Sequence, residues 1–211
     1  MPQGQTKAVI QAGQIENENL ASSQIVKWKS FILALGILLL FAAIYYWRTR
    51  PTQQDVIQRV FGSQQMYDAF ATSTNVTAQL LHLRPDFRFN ENQNPSKLNG
   101  YLIDPPILLT SVQAQQIQHL LQTPSSYLFS RAAKSCLIDY GVLIAFHSGQ
   151  QTVRVALCFN CDMLGVFIGE DDNLDSESGA DFDPVHGQLV IIAKSIFPND
   201  PNIQQLKENR R

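Results

Sequence analysis

"CLIDYGVLIAFHSGQQTVRVALCFNC", residues 136–161, decides the fold, because it sets two apolar runs around a turn signal and holds all three cysteines of the chain. Ser148 and Gly149 supply a two-residue hairpin turn, which pairs residues whose numbers add to 297. In that register Tyr140 faces Leu157, Val142 faces Val155 and Ile144 faces Val153, all on one apolar face. A slip of one residue would set Ile144 against Arg154 and turn the apolar set outward, so the pattern fixes the parity of the pairing. Thr152, Arg154 and Ala156 fall on the opposite face, which predicts a half-buried antiparallel strand.

The same register sets Cys136 opposite Cys161, close enough to form a disulfide in an oxidising compartment, while Cys158 points to the face of Arg154. Two readings stay open at this point: a Cys136–Cys161 bond, or three small buried hydrophobes. The Cys158-x-x-Cys161 spacing is also shared by redox motifs and zinc knuckles. A redox pair places its first thiol at a helix N-terminus, where the dipole lowers its pKa, yet the "DMLGVFIG" after Cys161 reads as extended. Structural zinc takes four ligands. Cys136, Cys158 and Cys161 with His147 or His186 could supply them, although no second half of a knuckle is present.

Outside this stretch the strongest pattern is "FILALGILLLFAAIYYW", residues 31–47, which carries no charge. With Ile25 and Val26 it approaches the roughly 20 apolar residues of a membrane-crossing helix. Lys27, Trp28 and Lys29 on one side and Tyr45, Tyr46, Trp47, Arg48 and Arg50 on the other form the collars expected at headgroup level. The run is followed by no small-x-small cleavage site, so it reads as a retained signal anchor. Lys and Arg balance across it; a short leading tail before a single anchor favours a cytoplasmic N-terminus and an exported C-terminal domain.

Charge is uneven along the 211 residues. Residues 1–50 carry five Lys or Arg against two acids, whereas residues 51–211 carry eleven against sixteen, a net of +3 and of −5. A domain at −5 lacks the clustered cations that displace counterions from phosphates, which excludes nucleic acid as a partner. Residues 1–24 are polar, Gln-rich and aperiodic, and read as a disordered tail.

Helical spacing recurs after the anchor. Val56, Val60 and Phe61, then Tyr67, Phe70 and Ala71, predict a helix from Asp55 toward Leu83, kinked near Gly62, with "NENQNPSKLNG" as a loop. Thr110 and Gln113 have capping-box spacing ahead of Ala114, Ile117 and Leu121. Asp183 and Pro184 open a last helix whose stripe is Leu189, Ile192, Ala193 and Ile196. The expected organisation is a tail over 1–24, a transmembrane helix with its flanks over 25–48, a juxtamembrane helical region over 51–100, and an α+β domain over 101–211.

No catalytic signature is present: G-x-S-x-G, the P-loop and H-E-x-x-H are all missing, and His82, His119, His147 and His186 are scattered. The acidic run 170–183 fails as a calcium loop, since Ser176 stands where glycine is required and Phe182 where the bidentate Glu belongs. "NVT" at 75–77 matches a glycosylation acceptor, inside the predicted helix.

The run 101–161, from "YLIDPPILLTSVQAQQIQHLLQTPSSYLFS" through "KSC" to "ALCFNC", resembles a group of uncharacterised bacterial membrane-anchored proteins and lipoproteins that share a helix, a serine-tyrosine stretch, a cysteine, a β-hairpin and C-F-x-C. Cys136, Cys158, Phe159 and Cys161 are the matching positions. The chain departs from that pattern in "LIDY", which lacks a proline, and in its acidic insertion at 170–183. The resemblance implies architecture and membrane placement without supplying an activity. The combined expectation is a non-enzymatic accessory or interaction module with no cofactor. It would be held in the bacterial inner membrane by a single helix, with the bilayer and an unidentified protein as partners. The competing class is a thiol-based domain, zinc-binding or redox-sensing, built on Cys136, Cys158 and Cys161.

Overall fold

The computed structural model describes residues 33, 35–85, 98–129, 134, 136, 138–149, 151–169 and 178–209. The chain forms two compact units, Met1–Arg50 and Pro51–Arg211.

In the first unit a helix, α1, covers residues 35–49, and its apolar side chains are exposed, Leu38, Phe41 and Trp47 among them. Among the described residues no helix is long and apolar enough to cross a membrane. This corrects the expected N-terminal transmembrane helix and signal anchor. The lipid bilayer as partner, the inner-membrane placement and the membrane-held accessory module, all of which rested on that helix, fall with it. The polar tail 1–24 and the apolar positions 25–32 lie outside the described residues.

The second unit is an α+β domain whose sheet is antiparallel at every pairing. Its strands are β1 (Asn75–Leu83), β2 (Tyr101–Ile103), β3 (Ile107–Leu108), β4 (Val142–Ser148), β5 (Gln151–Cys158), β6 (Met163–Ile168) and β7 (Ser178–Asp181). They lie in the order β2-β1-β4-β5-β6-β7, with β3 beside β2 on the outer side of β1. Pro105 and Pro106 separate β2 from β3. Proline cannot donate to a ladder, and this outer edge is where that costs least.

The β4–β5 hairpin pairs Val142 with Leu157, Ile144 with Val155 and Ser148 with Gln151. This register is displaced by two residues from the expected one. Gly149 takes a positive φ of 61°, the left-handed backbone that hairpin turns demand, and the turn follows Ser148 instead of including it. A two-residue displacement keeps the side chains of both strands on their expected faces, but Tyr140, expected on the face of Val142 and Ile144, precedes β4 and enters the opposite cluster. Val142, Ile144, Phe146, Val153, Val155 and Leu157 therefore line one cluster, and Leu143, Ala156 and Cys158 line the other.

Both faces are covered. On the first lie the helices α3 (Gln64–Ala71), α4 (Ser111–Gln122) and α5 (His186–Ile196), preceded by α2 (Gln53–Asp55) and a π-turn at Val56–Val60, and followed by α6 (Pro201–Gln204). On the second, Leu98, Tyr101 and Tyr140 close over Leu143, Ala156, Cys158 and Phe167. Strand β5 is thus buried on both sides from Thr152 to Cys158, where the sequence predicts a half-buried strand.

The helix expected from Asp55 toward Leu83 is three elements. Thr52 caps the start in a capping box with Asp55. The chain then breaks at Gly62, α3 follows, and Asn75–Leu83 is a strand held by β4 on one side and by β3 and β2 on the other. Ladder hydrogen bonds on both sides outweigh a weak helical preference. The "NVT" triplet accordingly begins a strand.

Helix α4 shows its start signal intact. Thr110 accepts from the Gln113 amide at 3.3 Å, and the Gln113 side chain accepts from the Thr110 amide at 3.1 Å. Thr110→Ala is expected to destabilise the domain by about 1 kcal/mol, measured as a lower urea midpoint at unchanged slope. A cost below a few tenths would mean that water replaces the cap without loss.

Candidate functional site

The site forms where β5 turns into β6. Cys158 pairs with Met163 at the ends of these strands, so the connection is Phe159–Asp162. Its last residue, Asp162, has φ 54°, a left-handed conformation that the short polar side chain of Asp tolerates better than most. The Asp162 carbonyl accepts the Phe182 amide at 2.8 Å, which ties the turn to the end of β7.

Cys161 in this turn is bonded to Cys136 in a disulfide with Cα atoms 6.0 Å apart. Cys161 is buried and Cys136 exposed. Neither belongs to a strand, since β4 begins only at Val142, so the bond joins a loop to a turn instead of closing a ladder. Lys134 makes a second, ionic tie between the same two segments. Its ammonium donates to the Cys161 carbonyl at 2.7 Å and to Asp183 at 2.8 Å, and it lies 2.9 Å from Asp181. Burial works against that charge, but hydrogen bonds to Asp183 and Asp181, with their coulombic attraction, outweigh it and hold the ammonium above the usual lysine range.

Behind the disulfide lies a buried pair. His186, the first residue of α5, places Nδ1 2.5 Å from Asp162 Oδ1 and Nε2 2.8 Å from the Lys207 carbonyl. A carbonyl oxygen only accepts, so Nε2 donates to Lys207, and Nδ1 is hydrogen-bonded to Oδ1 of Asp162. Phe159 meets the imidazole edge-on at 6.2 Å. The carbonyl of Glu208 crosses the next residue of α5 so closely that a Cβ at Gly187 would lie 2.5 Å from it. Cys136, Cys161, Lys134, His186, Glu208 and Asn209 line a cleft of about 970 Å³.

This geometry limits the chemistry. With Nε2 engaged by a backbone carbonyl, His186 has no ring nitrogen to offer an attacking group, so the Asp162–His186 pair is not the base of a triad. The reactive function in the cleft wall is the disulfide.

The zinc reading is corrected on the same ground. Two of the three candidate ligands, Cys136 and Cys161, are bonded to each other, and Cys158 points into the second cluster. His147 is engaged by Thr77 and Thr152, and His186 by Asp162 and Lys207. Among the described residues no group of three or more His, Cys, Asp or Glu is placed to hold a metal ion. Most of the acidic run, 170–177, lies outside the described residues.

Sequence reasoning brought Cys136 and Cys161 together but gave no role to Lys134 or Asp162, and named His186 only as a zinc ligand. Isolated polar residues have no periodicity to betray them. The one usable signal was the position of Asp162 directly after Cys161.

No known protein family, curated protein or solved structure matches this chain. With no matching family, and no helix among the described residues long and apolar enough to cross a membrane, the resemblance to bacterial membrane-anchored proteins and lipoproteins is not supported. A pattern of three cysteines and one Phe is short enough to recur by chance.

Proposed function

We propose that the domain over 51–211 is a thiol-based redox sensor, with the Cys136–Cys161 disulfide as its responsive element. The observation that carries this reading is the placement of the bond: its exposed sulfur-bearing residue, Cys136, stands in the wall of a cleft, while its partner Cys161 sits in the turn that anchors α5 through Asp162 and His186. An incoming thiolate reaches Cys136 first. It forms a mixed disulfide there and releases Cys161 as a thiolate; a second thiol of the reductant then resolves the mixed disulfide. The net change is two protons and two electrons from a dithiol, leaving two protein thiols and an oxidised reductant. What the domain senses is thus the thiol–disulfide poise of its surroundings.

Reduction removes a cross-link spanning 25 residues, worth about 3.5 kcal/mol by the loop-entropy relation. The expected result is a fall of that size in unfolding free energy on reduction. Equilibration against glutathione or dithiothreitol buffers, with the bond counted by mass spectrometry, should give a midpoint above about −300 mV, since structural disulfides lie below that value. A lower midpoint would mark the bond as a permanent staple and overturn the sensor.

A further inference from the structure

We infer that Cys158 is a second attacking thiol of this site, able to take Cys161 from Cys136, so that the bond moves between Cys136–Cys161 and Cys158–Cys161. The inference deepens the redox reading, because it uses the same sulfurs, but it requires no external reductant. Cys158 ends β5, Cys161 lies in the tight turn that follows it, and both enter the second cluster. The Cys158 sulfur accepts the Asp139 amide at 3.3 Å. The amides of Cys161 and Asn160 also turn toward it. Three N–H donors therefore converge on the sulfur that must carry charge to attack, and one of them belongs to the residue attacked. The segment that bears Cys136 is held by both sulfurs, through the disulfide and through Asp139.

The step balances without an oxidant. Cys158 gives up its proton, its sulfur bonds to the Cys161 sulfur, and the Cys136 sulfur leaves with the electron pair and takes up a proton. One thiol and one disulfide stand on each side. The consequence is positional: the thiol passes from Cys158, at 0 % exposure, to the exposed Cys136. The loop thereby loses its covalent tie and keeps the ionic one through Lys134.

Burial pushes the Cys158 thiol up, and the converging amides offset this only in part. The titratable groups facing it are Asp139, Tyr101 and Tyr140. Burial also raises Asp139, and it pushes the Tyr101 phenol up to about 12, so both tyrosines stay neutral through the range of interest. Thiolate, and with it exchange, is scarce at neutral pH and rises about tenfold per pH unit toward the thiol's own titration.

The test alkylates the full chain with iodoacetamide under native conditions without reductant, then maps tryptic peptides cut at Lys134, Arg154 and Lys194. Expected is label on the Cys136 peptide, with the peptide holding Cys158 and Cys161 two hydrogens lighter, accumulating about tenfold faster at pH 8 than at pH 7. Label on Cys158 alone overturns the inference. Cys136→Ser equilibrated with oxidised glutathione gives a second readout: a Cys158–Cys161 bond supports the exchange, and two free or separately glutathionylated thiols overturn it. The glutathione midpoint of Cys136–Cys161 in the unsubstituted chain is read alongside. A normal midpoint without native exchange would therefore sink this inference and leave the sensor standing.

Discussion

Asp162→Ala is expected to cost about 1–3 kcal/mol of domain stability, the range for leaving a buried hydrogen-bonding group without its partner. Asp162 is 1 % exposed and the His186 side chain 8 %, so the loss cannot be made good by water reaching the imidazole. The substitution also leaves alanine at φ 54°, which adds about 1 kcal/mol of left-handed strain. Asp162→Asn separates these contributions. It tolerates the left-handed backbone and keeps an oxygen for His186 Nδ1–H, so it should lose less than half as much. Chemical denaturation of both variants with the disulfide intact checks the order. An Asp162→Ala cost under 1 kcal/mol would mean that His186 is held by Lys207 and Phe159 alone, and that the turn carrying Cys161 is not fastened to α5.

That fastening had no trace in the sequence, and the reason is physical. Periodicity reports which side of an element meets the core, so the faces of β4 and β5 were legible from Ile144, Val153 and Val155. The exact partners were not, because a turn moved by one residue along the chain produces the same faces with partners shifted by two. The second layer over β5 comes from Leu98, Tyr101 and Tyr140. Two of these lie more than fifty residues away, which is why Thr152, Arg154 and Ala156 read as an outer face. Strand β1 was misread for a related reason. Val76, Ala78 and Leu80 alternate, but Val76, Leu80, Leu81 and Leu83 also fit a helical stripe, and only pairing with β4 and with β2 and β3 decides between them. In 25–48, hydropathy and aromatic collars read as a span, whereas among the described residues no helix is long and apolar enough to cross a membrane. The cysteines were matched by a register that does not exist. Their Cα atoms nevertheless lie 6.0 Å apart, because the loop before β4 and the turn after β5 are on the same end of the hairpin.

The helical layer has its own critical contact, and Phe146→Ala should destabilise the domain by about 3–5 kcal/mol, the usual cost of emptying a buried aromatic site. Phe146 is at 0 % exposure on the first face of β4. Its ring meets Phe70 of α3 edge-on at 4.6 Å, and Phe70 lies 4.5 Å from Phe61, which follows the π-turn. Three rings thus join the start of the domain, α3 and the centre of the sheet in one column. A domain of this size has about 5–15 kcal/mol in total, so the variant should unfold at a much lower urea concentration while retaining the same slope. A double-mutant cycle with Phe70→Ala isolates the ring contact, expected at about 0.5–1.5 kcal/mol of coupling. If the two losses simply add, edge-to-face geometry contributes nothing here, and α3 is held to the sheet by undirected apolar burial.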